Sequence, residues 1–128
     1  FESGNYENAE EIFTSLKKAQ PNNPRVYFYL GRIEFDKEEY KKAVNWFEEA
    51  ADLDEDNSFY RMWMGHSYGR QAQNASVLRQ AGLARNSRKN YEKAIALDPN
   101  HVEARESAME FYLQAPGFLG GGRDKAEI

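Results

Sequence analysis

Two histidines and one glycine-rich segment are the parts of this sequence whose residue types could carry chemistry. His66 and His101 could bind a metal ion or transfer a proton, but neither belongs to a helical pair of histidine and carboxylate of the kind that holds metals. The chain has no Cys, which removes thiolate ligands and thiol nucleophiles. We therefore expect no metal site.

The glycine-rich segment 117–124 could cradle a phosphate group through its backbone N–H groups. Arg123 and Asp124, however, stand where a phosphate-binding loop requires Lys followed by Ser or Thr. Residues 102–113 read as a helix, whereas such a loop follows a strand. We therefore interpret the segment as a turn between helices and expect no cofactor, with anion or nucleotide binding as the alternative.

Acidic side chains are plentiful between positions 48 and 56, where they could suggest acid–base catalysis. The solvated end of a helix and the turn after it explain them, because paired catalytic carboxylates need a pocket that the pattern does not show. No serine has the Gly-x-Ser-x-Gly setting of a nucleophile. The sequence predicts a protein without catalytic residues.

Composition places these residues in one folded domain. Of the 128 residues, 41% are hydrophobic and 14% aromatic, too many for a disordered chain, and no apolar run is long enough to span a membrane. The net charge of −4 argues against nucleic acid as the main partner.

A spacing of 34 residues organises the chain. Shifted by that number, one set of residues meets chemically similar ones: Tyr6, Ala9, Phe13, Leu16 and Asn23 correspond to Tyr40, Ala43, Phe47, Ala50 and Asn57. Leu30-Gly31 corresponds to Met64-Gly65 in the same way. Beyond Tyr68 the spacing becomes 44 residues, so the third unit carries a ten-residue insertion. Such a period indicates stacked copies of one small structural unit.

Each unit is predicted to be a pair of helices. Tyr40, Ala43 and Phe47 fall on one helical stripe, and breakers such as Gln20-Pro21 separate the helical segments. The predicted helices span about 5–19, 25–36, 39–52, 58–72, 85–96 and 102–114, with another beginning near Asp124 and an irregular connection near 74–84. No segment alternates as a strand does, so the fold class is all-α.

At these positions the chain resembles the tetratricopeptide repeat (TPR) family. Leu30-Gly31, Ala9-x3-Phe13 and Ala43-x3-Phe47 match its motif, while Glu34 stands where the motif has Tyr. The resemblance implies one domain, a right-handed α-solenoid of antiparallel helix pairs, divided into a partial repeat (1–23), a full repeat (24–57), a repeat with the insertion (58–101) and a second partial repeat (102–128). Since both end repeats are incomplete and the chain opens at Phe1 without Met, we expect a fragment of a longer array and assign no compartment. The insertion, with the Tyr-Leu-Gln-Ala-Pro-Gly ending at 112–117, also resembles a group of bacterial TPR proteins of unassigned function.

The resemblance further implies that the first helix of each unit lines a concave groove that binds a protein or peptide. The residues expected there are aromatic and apolar side chains rimmed by arginines: Arg25, Phe28, Tyr29, Arg32, Phe35, Phe59, Met62, Trp63, His66 and Arg70. The alternative is that these aromatics belong to the core. The best-known TPR site, a carboxylate clamp for chaperone tails, is not predicted. Its Lys, Asn and Arg positions hold other residues here: Phe28, Arg32, Trp63, Glu103 and Ser107. When the alignment is shifted by one repeat, Tyr29, Phe59 and Trp63 stand at clamp positions and again do not match.

Charge is unevenly distributed along the chain. Residues 1–64 carry 8 basic and 14 acidic side chains, whereas residues 70–93 carry 6 basic and one acidic. A solvated outer face explains the basic stretch, and an acidic partner or a phosphate-rich surface is the functional alternative. A second hypothesis for the whole chain is a structural role, in which the uncovered ends or the insertion mediate self-association.

Overall fold

The computed structural model describes residues 6–114, which form six helices and no strand. The helices are α1 (Tyr6–Ala19), α2 (Pro24–Asp36), α3 (Tyr40–Leu53), α4 (Ser58–Gln73), α5 (Val77–Leu97) and α6 (Val102–Gln114). The all-α helical-repeat class is confirmed, and so is each predicted helix apart from the start of α5. The helix predicted to begin near Asp124 lies outside the described residues.

Contacts divide the chain into two compact units, and the boundary in the sequence falls between Asp56 and Asn57. Unit 1 contains α1, α2 and α3, and unit 2 contains α4, α5 and α6. In unit 1 the antiparallel pair α2–α3 buries apolar residues that include Leu30, Ile33 and Phe47. In unit 2 the core cluster joins α4, α5 and α6 through Met62, Tyr91, Ala94, Ala104, Ala108 and Tyr112.

The 34-residue spacing has a direct structural counterpart at the helix starts. Asn23 and Asn57 cap α2 and α4, and each side-chain oxygen accepts a hydrogen bond from the backbone N–H two residues later, at 3.1 Å and 3.0 Å respectively. Such a bond satisfies one of the N–H groups that a helix leaves without a partner in its first turn. The next equivalent position is His101, which is buried instead, with Nδ1 2.7 Å from the Ser58 hydroxyl oxygen.

A glycine and an aromatic ring hold each helix pair together. A Cβ atom added at Gly31 would lie 2.5 Å from the Phe47 ring, and one added at Gly65 would lie 2.8 Å from the Tyr91 ring. The glycines let the ring of the second helix reach the backbone of the first. The same contact recurs in both units because Gly65 and Tyr91 are the repeat equivalents of Gly31 and Phe47.

The ten-residue insertion is helical, so the predicted irregular connection near 74–84 is wrong. Compared with α2 and α3 in the repeat register, α4 is three residues longer at its end and α5 seven residues longer at its start. The turn between the helices keeps three residues, Lys37–Glu39 in unit 1 and Asn74–Ser76 in unit 2. One side of the added helix packs, since Ala81 and Leu83 lie against the buried residues Ala72 and Ala84, with Phe111 in the same cluster.

Glu34, where the family motif has Tyr, is a buried carboxylate in unit 1. Burial raises the pKa of Glu34, and the Lys37 ammonium group, 3.8 Å from the carboxylate oxygen, offsets only part of this effect. Lys37 also reaches Glu10 of α1 at 3.4 Å. Glu34, Lys37 and Glu10 thus form a charged cluster in unit 1.

Candidate functional site

The most exposed aromatic side chain of the predicted site lies at the start of α4. Phe59, Trp63, His66 and Arg70 follow each other at spacings of four, three and four residues, which places them on one side of the helix. Phe59 is 47% exposed, yet its ring centroid lies only 4.1 Å from that of the buried His101. One ring face is therefore fixed by the protein while much of the ring remains accessible.

Trp63 and His66 extend this surface along α4. Trp63 is half-buried against the core cluster of unit 2, and its ring meets that of His66 edge to face at 4.9 Å. His66 is held in turn by the Tyr91 hydroxyl, whose oxygen lies 2.7 Å from Nδ1. Burial raises the pKa of Tyr91, so the hydroxyl keeps its proton at neutral pH. We call Phe59, Trp63 and His66 the α4 aromatic surface.

Met62 does not belong to this surface. It is 1% exposed and packs in the core of unit 2 with Tyr91 and Ala104. A helix turns by about 100° per residue, so Met62 points well away from the direction of Trp63. Its place in the predicted stripe is corrected: Met62 supports the unit and is not available to a partner.

The predicted residues of α2 divide into two groups in unit 1. Arg25 and Tyr29 are exposed, and the Tyr29 ring stacks on Phe13 of α1 with 5.2 Å between centroids. Phe28 and Phe35 are half-buried and contact α3, where Phe28 meets Phe47 at 5.7 Å and Phe35 meets Tyr40 at 5.1 Å.

The packing of Phe28 and Phe35 corrects their expected orientation away from the companion helix. For these two residues the alternative of a core role applies. Arg32 is half-buried on the same helix, and Arg70 is exposed on α4. Among the predicted site residues, the exposed ones are therefore Arg25, Tyr29, Phe59 and Arg70.

The first helix of the last repeat presents acidic groups. Glu103, Glu106 and Glu110 of α6 are exposed, and Ser107 is half-buried. Carboxylates at these positions repel an anionic peptide end, so they are unsuited to the fixed donors of a carboxylate clamp.

The hydrogen bond between His66 and Tyr91 was not among the features predicted from the sequence. A signal for it exists in the repeat register, where Arg32 and Phe47 of one unit become His66 and Tyr91 of the next. In unit 2 an imidazole and a phenol therefore replace the guanidinium and the phenyl ring of unit 1, at two positions that face each other. Comparing the two units pair by pair, rather than position by position, could have found it.

Other candidate sites gain no support from the part of the chain that the structure describes. Within residues 6–114 there is no group of three or more His, Asp or Glu side chains placed to hold a metal ion. None of the helices in that range combines the length and apolar character that crossing a bilayer requires. The glycine-rich segment 117–124 lies outside the described residues.

Comparison with known families identifies the repeat. Two tetratricopeptide repeat models match the chain, one over residues 1–58 and the other over residues 61–101, which together make up more than three quarters of it. The chain therefore belongs to the tetratricopeptide repeat family, whose members serve mainly as modules for protein–protein interaction. No curated protein matches the chain.

Solved structures with the same fold include two TPR proteins. One is the first TPR of Spaghetti (RPAP3) bound to the HSP90 peptide SRMEEVD, with 20% identity and a TM-score of 0.69 over 84% of this chain and 78% of that one. The other is TTC0263, a thermophilic TPR protein of Thermus thermophilus, with 20% identity and a TM-score of 0.79 over 97% of this chain. This chain spans 62% of the Thermus protein. At such identities the likeness shows the fold alone.

Proposed function

We propose that this chain is a non-catalytic interaction module that binds a polypeptide segment, and that the α4 aromatic surface receives an apolar side chain of that segment. Membership of the TPR family supports the general role. The pairing of Phe59 with His101 is the observation that carries the specific part, because it leaves a large apolar ring accessible in a fixed orientation.

Preorganisation is the physical reason to place the binding energy here. The contacts of Phe59 with His101 and of His66 with Tyr91 are formed before any partner arrives, so little side-chain entropy is lost on binding. Aromatic residues in such settings are the usual hot spots of protein interfaces, where truncation to Ala costs about 2 kcal/mol or more.

Arg70 adds a preference for charge to the proposed site. It is exposed one helical turn beyond His66, so it can meet a carboxylate that follows the apolar anchor of the partner. The preferred ligand is thus a segment with an aromatic residue, whose ring can pack on Phe59, close to an acidic one.

The neighbour's ligand, SRMEEVD, makes a useful negative probe. Positions that would have to supply clamp donors hold Trp63 and the exposed carboxylate of Glu103. We expect this peptide to bind at least tenfold more weakly than a segment that matches the α4 aromatic surface.

The test begins with linear peptides selected from a random library on the wild-type chain. Titration calorimetry with the best peptide then compares Phe59→Ala with Ile12→Ala, an equally simple loss of an exposed apolar side chain from α1. We expect Phe59→Ala to weaken binding tenfold or more, which is about 1.4 kcal/mol, and Ile12→Ala to change it less than twofold. Equal effects of the two substitutions, with helicity unchanged, would remove the α4 aromatic surface from the proposal.

A further inference from the structure

One face of α5 is basic and without a described ion pair along most of its length. Within residues 6–114 the exposed cations Arg79, Arg85, Lys89 and Lys93 have no salt bridge, while Arg88, half-buried on another side, lies 3.9 Å from Glu92. The exposed face also contains Leu78 and Gly82 and lies opposite the side that buries Ala84, Ser87, Tyr91 and Ala94. We call Leu78, Arg79, Arg85, Lys89 and Lys93 the basic ridge.

An exposed apolar tip marks the start of this ridge. The insertion lengthens α5 by seven residues but α4 by only three, so the helices differ by about 6 Å in added length at 1.5 Å per residue. Val77 and Leu78, the first two residues of α5, are 86% and 96% exposed. The start of α5 thus has a second, independent feature besides its charge, namely two neighbouring apolar side chains that no described residue covers.

The second half of α3 has the opposite character. Glu48, Glu49 and Asp52 are exposed on one side of it, next to the exposed Leu53, and Glu55 and Asp56 follow in the turn. Within residues 6–114 these carboxylates have no ion pair with a described cation. We call Glu48, Glu49, Asp52, Leu53, Glu55 and Asp56 the acidic face.

On each surface one charged residue has the sign that destabilises its own helix. Arg79 lies in the first turn of α5, where the helix dipole favours an anion, and Asp52 lies in the last turn of α3, where it favours a cation. Local conflicts of this kind are expected where a sequence serves binding rather than folding. A contact between the two surfaces would bring charges of opposite sign together.

We propose that the basic ridge of one copy of this chain docks on the acidic face of a second copy. The complementarity of charge and of the apolar residues at each end is what favours a second copy over an unrelated acidic partner. Because the two surfaces differ, the contact is heterologous, and each copy can continue the assembly with its free surface. This proposal uses none of the residues of the α4 aromatic surface and stands or falls independently of it.

Sedimentation equilibrium of the purified chain tests the proposal directly. At about 20 mM salt we expect the average mass to rise with protein concentration, and at about 500 mM salt, where the Debye length falls to a few Å, to return to that of the monomer. Two double variants each reverse two charges on one surface: Lys89→Glu with Lys93→Glu on the basic ridge, and Glu48→Lys with Glu49→Lys on the acidic face. We expect both variants to remain monomeric. Lys18→Glu with Lys41→Glu, a matched change of charge at exposed positions outside both surfaces, should associate like the wild type.

The decisive experiment mixes the two charge-reversed variants. When the two reversed variants are combined, the acidic ridge of one meets the basic face of the other, so association should return to the wild-type level. A wild-type chain that stays monomeric at low salt, reversed variants that still associate, or a mixture that fails to recover would each overturn the proposal. Circular dichroism of every variant confirms that the exposed substitutions leave the helices intact.

Discussion

Two glycines and two aromatic rings set the distance between the helices of each pair. Phe47 and Tyr91 are buried, and each ring lies where the Cβ of any residue larger than Gly31 or Gly65 would have to be. Tyr91 has a further task, since its hydroxyl holds His66 in the α4 aromatic surface. Packing of the core and presentation of the candidate site thus depend on the same residue.

Gly65→Ala should destabilise unit 2 by about 1–3 kcal/mol, because its Cβ would overlap the Tyr91 ring and the buried ring has little room to move. Gly82→Ala is the matched control, since a Cβ there meets nothing within 4 Å on the exposed side of α5. That substitution should stabilise by about 0.5–1 kcal/mol through helix propensity. Chemical denaturation followed by circular dichroism measures both, and equal shifts of the two midpoints would refute the packing argument.

The repeat register predicted that Gly31 and Gly65, and likewise Asn23 and Asn57, occupy equivalent places, because their contacts recur with each helix pair. Residue types did not predict the burial of Met62 or the contacts of Phe28 and Phe35 with α3. A helical stripe fixes which residues share a side, but the neighbouring helix decides how much of that side is covered. The hydrogen bond between His66 and Tyr91 was not predicted because the two residues lie 25 positions apart on different helices.

The helix caps show where a local sequence signal determines the structure, and the insertion shows where tertiary packing overrides such a signal. The side chain of Asn57 accepts a bond from Phe59 N–H, whereas Ser76, at the same place before α5, makes no such bond. The sequence predicted an irregular segment at 74–84 because Ser76 and Gly82 are weak helix formers. The helix forms nevertheless, since the packing of Leu83 and Ala84 outweighs the cost of Gly82, which is about 1 kcal/mol.

Asn57→Ala should cost about 1 kcal/mol of stability, because an N–H of the first turn of α4 loses its hydrogen bond. The same substitution should also disorder the helix start that carries Phe59. Ser76→Ala should change the free energy of unfolding by less than half that amount, because the Ser76 side chain makes no capping hydrogen bond. Thermal unfolding of the two variants beside the wild type provides the comparison, and a larger loss for Ser76→Ala would contradict this account of the caps.

For the whole molecule, the repeat and the family were predictable because stacked helix pairs must bury the same side at a fixed spacing. The surfaces that a partner could use were less predictable. The α4 aromatic surface depends on His101, which is distant in sequence, and the start of the basic ridge, Leu78 and Arg79, depends on an insertion that follows no repeat rule. Function on such a scaffold resides in the departures from the repeat more than in the repeat itself.

The most direct test of peptide binding uses the two tryptophans of the chain as reporters. Trp63 belongs to the α4 aromatic surface, whereas Trp46 lies in unit 1 beside Lys17 and Tyr27 and serves as an internal control. In ¹H–¹⁵N spectra recorded while a library-selected peptide is added, we expect a progressive shift of the Trp63 indole resonance with that of Trp46 unchanged. Saturation by the peptide with Trp63 unmoved, or with Trp46 shifting in its place, would contradict it.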